Sequence, residues 1–263
     1  MGNELQQGWK IGKCPSVYGP IQSRRFGKSL GINLGDPYQK QCTWNCIYCQ
    51  CGFGSKISKR SFLDPRELQT SLTEALNQES LVECITLAGN CEPTLHPQFS
   101  TIIELLLWMR DKRNESWRII VLTNGENLQN LEIRDALDLV DETYVKVDCV
   151  DEALFRRLNI PRGAVQGVDE QLDQICLLKR PRIQGLFWKC PERPLFSNWE
   201  DTHLHDYETR MKNLNPDSIH ITTIDRWTAL PNLKAVPPNE LEALAGRLRR
   251  HGIEACYFPA GGG

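Results

Sequence analysis

The stretch that decides the fold is residues 29–49, SLGINLGDPYQKQCTWNCIYC, in which an apolar run leads into a loop with three cysteines. The apolar run, Ser29–Leu34, predicts a buried strand. Cys42, Cys46 and Cys49 follow it with the spacing C-x3-C-x2-C. Because the three thiols lie on one short loop, we expect them to converge on a single metal centre.

The remainder of the chain alternates apolar runs with amphipathic stretches, which is typical of repeated strand and helix units. Five further strands are predicted at Glu83–Ala88, Arg118–Thr123, Thr143–Asp148, Ile183–Lys189 and Ser218–Thr223. Helices are predicted between them, and the helix from Pro65 to about Gln78 is signalled by Asp64 as its N-cap. Parallel neighbours require such crossover connections. The sequence therefore predicts an α/β fold, a partial (β/α)6 TIM-type barrel with a mostly parallel sheet.

The length of 263 residues fits one domain, since a single α/β barrel takes about 250 residues. We expect a single domain over residues 1–263, with an N-terminal segment at 1–27, a barrel core at about 28–225 and a C-terminal helix and short strand at about 226–260. The C-terminal elements are predicted at Asn239–Arg250 and Glu254–Phe258.

The charge balance argues against a dedicated nucleic-acid binder, because the formal net charge is −2 and the isoelectric point is about 6.2. A basic cluster at Arg24, Arg25 and Lys28 keeps nucleic acid open as a less favoured partner. No stretch approaches the roughly 18 apolar residues of a membrane span, and the N-terminus lacks the pattern of a signal peptide. We therefore expect a cytoplasmic protein without a membrane partner.

Eleven cysteines in such a chain predict metal ligands, catalytic groups or small buried residues rather than a disulfide framework. The triplet alone leaves two metals open. Three thiolates give one iron of a 4Fe-4S cluster an open coordination position, whereas structural zinc needs a fourth ligand, for which Cys51 is available. An iron–sulfur or zinc scaffold protein is the non-enzymatic alternative.

Tyr48 stands directly before Cys49, and this C-x3-C-x-aromatic-C pattern resembles the radical S-adenosylmethionine (SAM) superfamily. The resemblance implies a 4Fe-4S cluster whose open iron is chelated by the methionine amine and carboxylate of SAM. It also implies reductive cleavage of SAM to methionine and a 5′-deoxyadenosyl radical, which abstracts a hydrogen atom from the substrate. The electron is expected from a flavodoxin or a ferredoxin, and Tyr48 is expected to contact the cofactor.

Two further segments match the superfamily in order and spacing, and each follows a predicted strand. GNCEPT at 89–94 resembles the segment that binds the methionine amine through backbone carbonyls and an acidic side chain. TNG at 123–125 resembles the segment that contacts the ribose hydroxyls. Parallel sheets of this kind bind ligands at the carboxyl ends of their strands, which favours the functional interpretation. The residues assigned to the cofactor are Gly89, Asn90, Glu92, Thr123, Asn124 and Gly125.

Four residues further along the chain complete the candidate site. Lys146 and Asp148 share one face of the fourth predicted strand, where they are expected to pair with each other or to contact cofactor and substrate. Asn159 begins a short segment, NIP, that resembles a cofactor contact of the superfamily. Arg226, in TTIDRW, is a candidate for substrate contact.

Within the superfamily, the chain resembles the subgroup of the tRNA wyosine-base synthase and its short bacterial relatives. The segments that carry this resemblance are Tyr18-Gly19-Pro20, Ser23–Gly31, Gln50, Leu186-Phe187 and Asp225-Arg226. The resemblance implies tRNA base modification as one function, and peptide modification is another. Since no appendage for tRNA or peptide is visible, a small substrate, metal- or sulfur-containing, is favoured.

The chain departs from the family pattern at Cys91, Cys149 and Cys190, where glycine or another small uncharged residue is expected. Each follows a predicted strand, which puts all three on the same rim of the barrel. One interpretation is that they are ordinary small buried residues. The other is that they surround the substrate, as catalytic thiols or as ligands of a second iron–sulfur cluster or a soft metal.

Overall fold

The computed structural model describes residues 14–54, 61–79, 81–162 and 167–261. Contacts between Cα atoms divide the chain into two compact units. Among the described residues, the N-terminal unit contains residues 14–42, 54, 61–79 and 81–144, and the C-terminal unit contains residues 43–53, 145–162 and 167–261. Residues 1–13 of the expected N-terminal segment lie outside the described residues, and the expectation of a single domain stays a prediction.

The N-terminal unit is built on parallel strands with one antiparallel neighbour. Its elements in chain order are β1 (Val17–Ser23), β2 (Gly27–Ile32), α1 (Pro65–Gln78), β3 (Cys84–Leu87), α2 (Phe99–Arg113), β4 (Arg118–Thr123) and α3 (Leu131–Leu139). Strands β2, β3 and β4 pair in parallel, and β1 pairs antiparallel with β2. The next strand, β5 (Glu142–Lys146), begins in this unit and ends in the other.

Local signals account for the helices of this unit. The Asp64 carboxylate accepts a hydrogen bond from Arg66 N at 2.8 Å. Pro65 occupies the first turn of α1, where N–H groups have no acceptor within the helix, so its lack of an N–H costs no helical hydrogen bond. Helix α2 ends at Asn114, whose left-handed conformation closes the last turn. Buried side chains of the strands and their flanks pack together, namely Phe26, Cys84, Ile120 and Tyr144.

The C-terminal unit contains a second run of parallel strands. After β5 its elements are α4 (Glu152–Leu158), α5 (Val168–Ile175), β6 (Arg182–Lys189), α6 (Asp201–Leu214), β7 (Ser218–Thr223), β8 (Lys234–Ala235), α7 (Pro238–Arg249) and β9 (Glu254–Phe258). Strands β6, β7 and β9 pair in parallel, and β8 pairs antiparallel with β6. Phe187 on β6 packs edge-on against Trp199 and Tyr207, which anchors α6 to the strands.

The α/β class and the mostly parallel pairing are confirmed. Elements α1, β4, β7 and β9 have the predicted bounds, and the other predicted strands differ by one or two residues at one or both ends. Strands β1 and β8 were not predicted. The carboxyl ends of β3, β4, β5 and β6 each lead into a segment that carries candidate site residues. Among the described helices, none has the length and apolar character needed to cross a membrane.

Candidate functional site

The part of the cysteine loop in the C-terminal unit, residues 43–53, is fixed by main-chain hydrogen bonds. Asn45 N donates to Ile160 O at 3.0 Å. Cys49 N donates to Cys46 O at 3.0 Å, so the two thiol-bearing residues share one turn. The backbone that carries Cys46 and Cys49 is therefore held by the fold.

The side-chain amide of Asn159 reaches the sulfur of Cys46. Its Nδ2 lies 3.4 Å from Cys46 Sγ, 3.0 Å from Asp148 Oδ2 and 3.3 Å from the Tyr48 hydroxyl. Asn159 is 1% exposed, and its Oδ1 has no hydrogen-bond partner among the described residues. Two residues assigned to the cofactor, Tyr48 and Asn159, thus belong to one hydrogen-bonded group beside Cys46.

Asp148 lies at the centre of this group. The Tyr48 hydroxyl donates to Asp148 Oδ2 at 2.5 Å, and Leu186 N donates to Oδ1 at 2.8 Å. Lys146 Nζ lies 3.3 Å from Oδ1, and the Asp148 side chain has no solvent exposure. Lys146 and Asp148 therefore pair with each other, which was one of the two expectations for them.

Burial sets the protonation of the groups next to Asp148. Burial, followed by the negative charge of Asp148, raises the pKa of the Tyr48 hydroxyl well above its usual range. The same two causes raise the pKa of the Cys149 thiol. Both groups keep their protons at neutral pH, so Tyr48 can donate to the Asp148 carboxylate.

In the N-terminal unit, the residue before the first cysteine is tied to the GNCEPT segment. Gln41 N donates to Asn90 O at 2.8 Å, and Glu92 N donates to Gln41 O at 3.1 Å. The amide Nδ2 of Asn124 lies 3.9 Å from Cys42 Sγ. Both segments assigned to the cofactor in this unit thus lie beside Cys42.

The Glu92 carboxylate is enclosed by hydrogen-bond donors. Oε1 accepts from the Thr123 hydroxyl at 2.6 Å and from the Thr94 hydroxyl at 2.8 Å, and Oε2 accepts from Asn124 N at 2.8 Å. Burial raises the pKa of the Glu92 carboxyl above its ordinary value, and these hydrogen bonds oppose the shift. Glu92 therefore joins the segment after β3 to the end of β4.

The raised pKa of Glu92 makes the free energy of unfolding of the protein depend on pH, and the direction of the shift fixes the direction of that dependence. A group whose pKa is higher in the folded state binds its proton more readily there, so lowering the pH through that pKa stabilises the fold. Relative to Glu92→Gln, we expect the wild-type free energy of unfolding to rise as the pH falls from about 7 to about 5. Urea unfolding of both proteins across this range measures the difference. A wild-type advantage that shrinks toward low pH would show that the hydrogen bonds outweigh burial.

Two glycines of the assigned segments have backbone conformations that other residues rarely adopt. Gly89 has φ +146°, and a Cβ at this position would lie 2.6 Å from Asn33 Oδ1. Gly125 has φ +80°, and its N donates to Thr123 Oγ1 at 3.0 Å. The backbone itself thus requires glycine at both positions, and their contact with the cofactor stays a prediction.

The three cysteines that depart from the family pattern are buried. Cys91 is 6% exposed, Cys149 is 1% exposed and Cys190 is 3% exposed. Cys91 belongs to the N-terminal unit, and the other two belong to the C-terminal unit. Within neither unit do three or more of the described His, Cys, Asp or Glu side chains form a group that could hold a metal ion. The second metal centre stays a prediction.

Arg226 contacts the cysteine loop. Its Nη1 donates to Gln50 Oε1 at 2.9 Å, and Gln50 directly follows Cys49. Arg226 is exposed, as is the neighbouring Trp227, which is 40% exposed. The structure thus places Arg226 beside the loop, and its contact with a substrate stays a prediction.

Asn198 is a residue of the site that sequence reasoning missed. Its Nδ2 donates to Asp148 O at 3.0 Å, and its Oδ1 accepts from Trp188 N at 2.9 Å. Asn198 is fully buried. No sequence signal marks it, because it lies 50 residues from Asp148 and in no recognised motif.

The donor set fits a 4Fe-4S cluster. Among the described residues, the triplet cysteines form no disulfide, and amide groups of Asn159 and Asn124 lie beside the sulfurs of Cys46 and Cys42. Amide donors stabilise the negative charge of thiolate ligands. Cys42 belongs to one unit and Cys46 to the other, so the set as a whole rests on the sequence spacing.

The parallel strand pairing within each unit, the cysteine loop and its amide donors indicate a class of protein, and the comparison with known families agrees. The model of the Radical SAM superfamily matches residues 37–178, just over half of the chain, and the chain belongs to this superfamily. The matched range contains the cysteine triplet, both assigned segments and Asn159. The expected enzyme family is confirmed.

Within the superfamily, the chain belongs with the proteins named UPF0026. It is 30% identical over 238 residues to the UPF0026 protein of Methanocaldococcus jannaschii, covering 87% of this chain and 68% of the relative. A UPF0026 protein of Helicobacter pylori is 32% identical over 149 residues, covering 56% of this chain and 47% of the relative. A Brachyspira hyodysenteriae protein named GTPase Obg is 29% identical over 234 residues, covering 88% of this chain and 33% of the relative. The chain thus spans about half of the second relative's length and a third of the last.

Solved structures share the fold. A radical SAM methyltransferase from Sphaerobacter thermophilus has a TM-score of 0.62 at 15% identity, and the match covers 88% of this chain and 65% of the methyltransferase. SuiB of Streptococcus suis bound to S-adenosylmethionine has a TM-score of 0.61 at 13% identity, and the match covers 84% of this chain and 48% of SuiB. TYW1 with a lysine-pyruvate adduct bound has a TM-score of 0.59 at 15% identity, and the match covers 84% of this chain and 73% of TYW1. These likenesses confirm the expected partial TIM-type barrel fold.

Proposed function

We propose that this chain is a radical SAM enzyme in which Cys42, Cys46 and Cys49 hold a 4Fe-4S cluster. When bound, the cluster supplies reductive cleavage of SAM to methionine and a 5′-deoxyadenosyl radical that abstracts a hydrogen atom from the substrate. The observation that carries the proposal is the three-cysteine loop inside the matched range, with amide donors beside two of its sulfurs. Radical SAM proteins need a reductant, and a flavodoxin or ferredoxin in a reducing, cytoplasmic compartment is the donor we propose.

The residues of the chain bind and orient the cofactor in this proposal. In the N-terminal unit, Glu92 holds Thr123 and Asn124 at fixed distances, which gives the two assigned segments a rigid arrangement. Rigid polar groups bind a ligand with little loss of conformational freedom. The proposed SAM contacts are Tyr48, Gly89, Asn90, Glu92, Thr123, Asn124, Gly125 and Asn159.

The substrate class we propose is a small molecule, metal- or sulfur-containing. The mild negative charge supports it, and so does Lys28, which is paired with Glu79 at 2.9 Å and offers less charge to a phosphate backbone. The alternatives are tRNA base modification of the wyosine-synthase type and peptide modification. The sequence resemblance to the wyosine subgroup and the shared fold with TYW1 support the first alternative.

The experiment is anaerobic reconstitution with iron and sulfide, followed by dithionite and SAM. We expect 5′-deoxyadenosine by mass spectrometry, and faster production when the substrate is present. Adding tRNA, a peptide mixture or a small-molecule extract in separate reactions distinguishes the three substrate classes. An intact cluster that yields no 5′-deoxyadenosine would end the enzymatic proposal and favour the scaffold alternative.

The iron content tests the proposed second centre. One 4Fe-4S cluster gives about four irons per chain, and two give about eight. If Cys91, Cys149 and Cys190 hold a second cluster, their joint replacement with alanine lowers the count from about eight to about four. Cys256→Ala, at an exposed thiol, is the matched control and keeps the wild-type count. A wild-type count of about four would reject a second 4Fe-4S cluster.

A further inference from the structure

We infer that Asp148 and Asn159 are positioning residues for the cluster ligand Cys46. The Asp148 carboxylate orients the Asn159 amide, and the amide donates a hydrogen bond to the Cys46 sulfur that makes the cluster easier to reduce. The inference rests on the proposed function, because it requires a cluster at the triplet. It gives both residues a task other than the catalysis and cofactor contact expected from sequence.

The orientation of the amide follows from its neighbour. The Asn159 nitrogen lies 3.0 Å from Asp148 Oδ2, a separation that requires a donor facing an acceptor. A flipped amide would bring its oxygen against the carboxylate, where both atoms are acceptors. The nitrogen therefore faces Asp148 and donates one of its two hydrogens to the Asp148 carboxylate.

The second hydrogen has two acceptors within reach, Cys46 Sγ at 3.4 Å and the Tyr48 oxygen at 3.3 Å. The Tyr48 hydroxyl donates to Asp148 Oδ2 at 2.5 Å, and an oxygen that still carries its hydrogen is an uncharged acceptor. A cluster-ligating sulfur carries negative charge, and hydrogen bonds to a charged acceptor are roughly twice as strong as neutral ones. The second hydrogen therefore goes to the sulfur.

Asp148 is fixed firmly enough to hold the amide. Leu186 N and Lys146 Nζ both approach its Oδ1, which leaves Oδ2 for Tyr48 and Asn159. The Asn159 oxygen has no hydrogen-bond partner among the described residues, so no bond on that side of the amide competes with Asp148. The carboxylate is thus the group that decides where the amide points.

A donor at the sulfur acts on the redox equilibrium. Reduction adds one negative charge to the cluster, and an N–H dipole aimed at a ligand sulfur stabilises the more negative state. Asn159 is 1% exposed, so water screens this interaction poorly. Removing the donor therefore shifts the reduction potential to a more negative value.

The test compares Asn159→Leu, which keeps the number and branching of the side-chain heavy atoms and removes the donor, with Gln171→Leu. Gln171 is a buried amide of the same unit whose Nε2 donates to a main-chain oxygen, Lys146 O, at 3.1 Å. Iron content, the electron paramagnetic resonance spectrum and the reduction potential are measured on reconstituted protein without SAM. Asn159→Leu shifts the potential negative, alters the spectrum and weakens cluster binding by about 10- to 100-fold, while Gln171→Leu matches wild type.

The outcomes separate the inference from the proposed function. A wild-type chain that binds no cluster overturns the proposed function and this inference with it. Wild-type and Asn159→Leu proteins with full iron and equal potentials overturn the inference alone. If Asn159→Leu does not fold, Asn159→Ser replaces it, because a serine hydroxyl on the same backbone is too short to reach Cys46; the same negative shift is expected, and an unchanged potential again overturns the inference.

Discussion

Replacing Cys46 with alanine is expected to abolish both iron binding at the triplet and SAM cleavage. Two remaining thiolates cannot complete the three-cysteine site, and the iron that the triplet cluster contributes should fall from about four per chain to below about one. Cys46 is 8% exposed and lies on a backbone fixed by hydrogen bonds, so a neighbouring thiol such as Cys51 cannot take its place without breaking them. Iron analysis and mass spectrometry of 5′-deoxyadenosine measure the two losses.

The control for this loss is Cys176→Ala, the same change at an exposed cysteine outside the loop. It should keep wild-type iron and wild-type 5′-deoxyadenosine production. A Cys46→Ala protein that behaves like this control would remove Cys46 from the ligand set and redirect attention to Cys51 as a ligand.

Replacing Asp148 with alanine is expected to cause the largest loss of stability. The change leaves the Lys146 ammonium, whose side chain is 18% exposed, without its partner, and the Leu186 N–H without its acceptor. Breaking a buried ion pair from one side costs about 3–5 kcal/mol. Urea unfolding of the iron-free protein, followed by circular dichroism, measures the loss without any contribution from cluster binding.

The matched control is Asp169→Ala, which breaks an ion pair with Arg210 of 2.7 Å on the surface of the same unit. The Asp169 side chain is 76% exposed, and such a pair contributes about 0.2–1 kcal/mol. Equal losses for the two variants would mean that Asp148 is not the centre of a buried network.

Local signals in the sequence were sufficient for most of the fold. The N-cap at Asp64 and the apolar run at Arg118–Thr123 depend on neighbouring residues, and both elements have the predicted bounds. Strand β1 was missed because Gly19 and Pro20 interrupt it, and it is defined by its pairing with β2, which includes a shift of register between Tyr18 and Ile21. A pairing of that kind is a property of the folded chain.

Motif spacing predicted the residues of the site but not the hydrogen bonds that they make. Asn159 and Glu92 were assigned to the cofactor, yet Asn159 reaches a sulfur 113 residues away and Glu92 accepts from Thr123, 31 residues away. Both side chains use polar atoms in hydrogen bonds within the protein, and their contact with the cofactor stays a prediction. The hydrogen-bond partner of such a side chain, when it is distant in sequence, depends on burial and on competing donors, and neither can be predicted from motif spacing.

The fixed backbone of the cysteine loop has a consequence for how the protein acquires its metal. In small zinc domains, ligands are brought together only as the chain folds, so removing the metal unfolds the protein. Here Ile47 N donates to Leu158 O at 2.9 Å and Leu230 N to Ile47 O at 2.7 Å. Because these bonds join main-chain atoms and not cysteine sulfurs, the conformation of the loop does not depend on bonds to iron alone. Chelation should strip the cluster from a chain that keeps its secondary structure and takes the cluster up again.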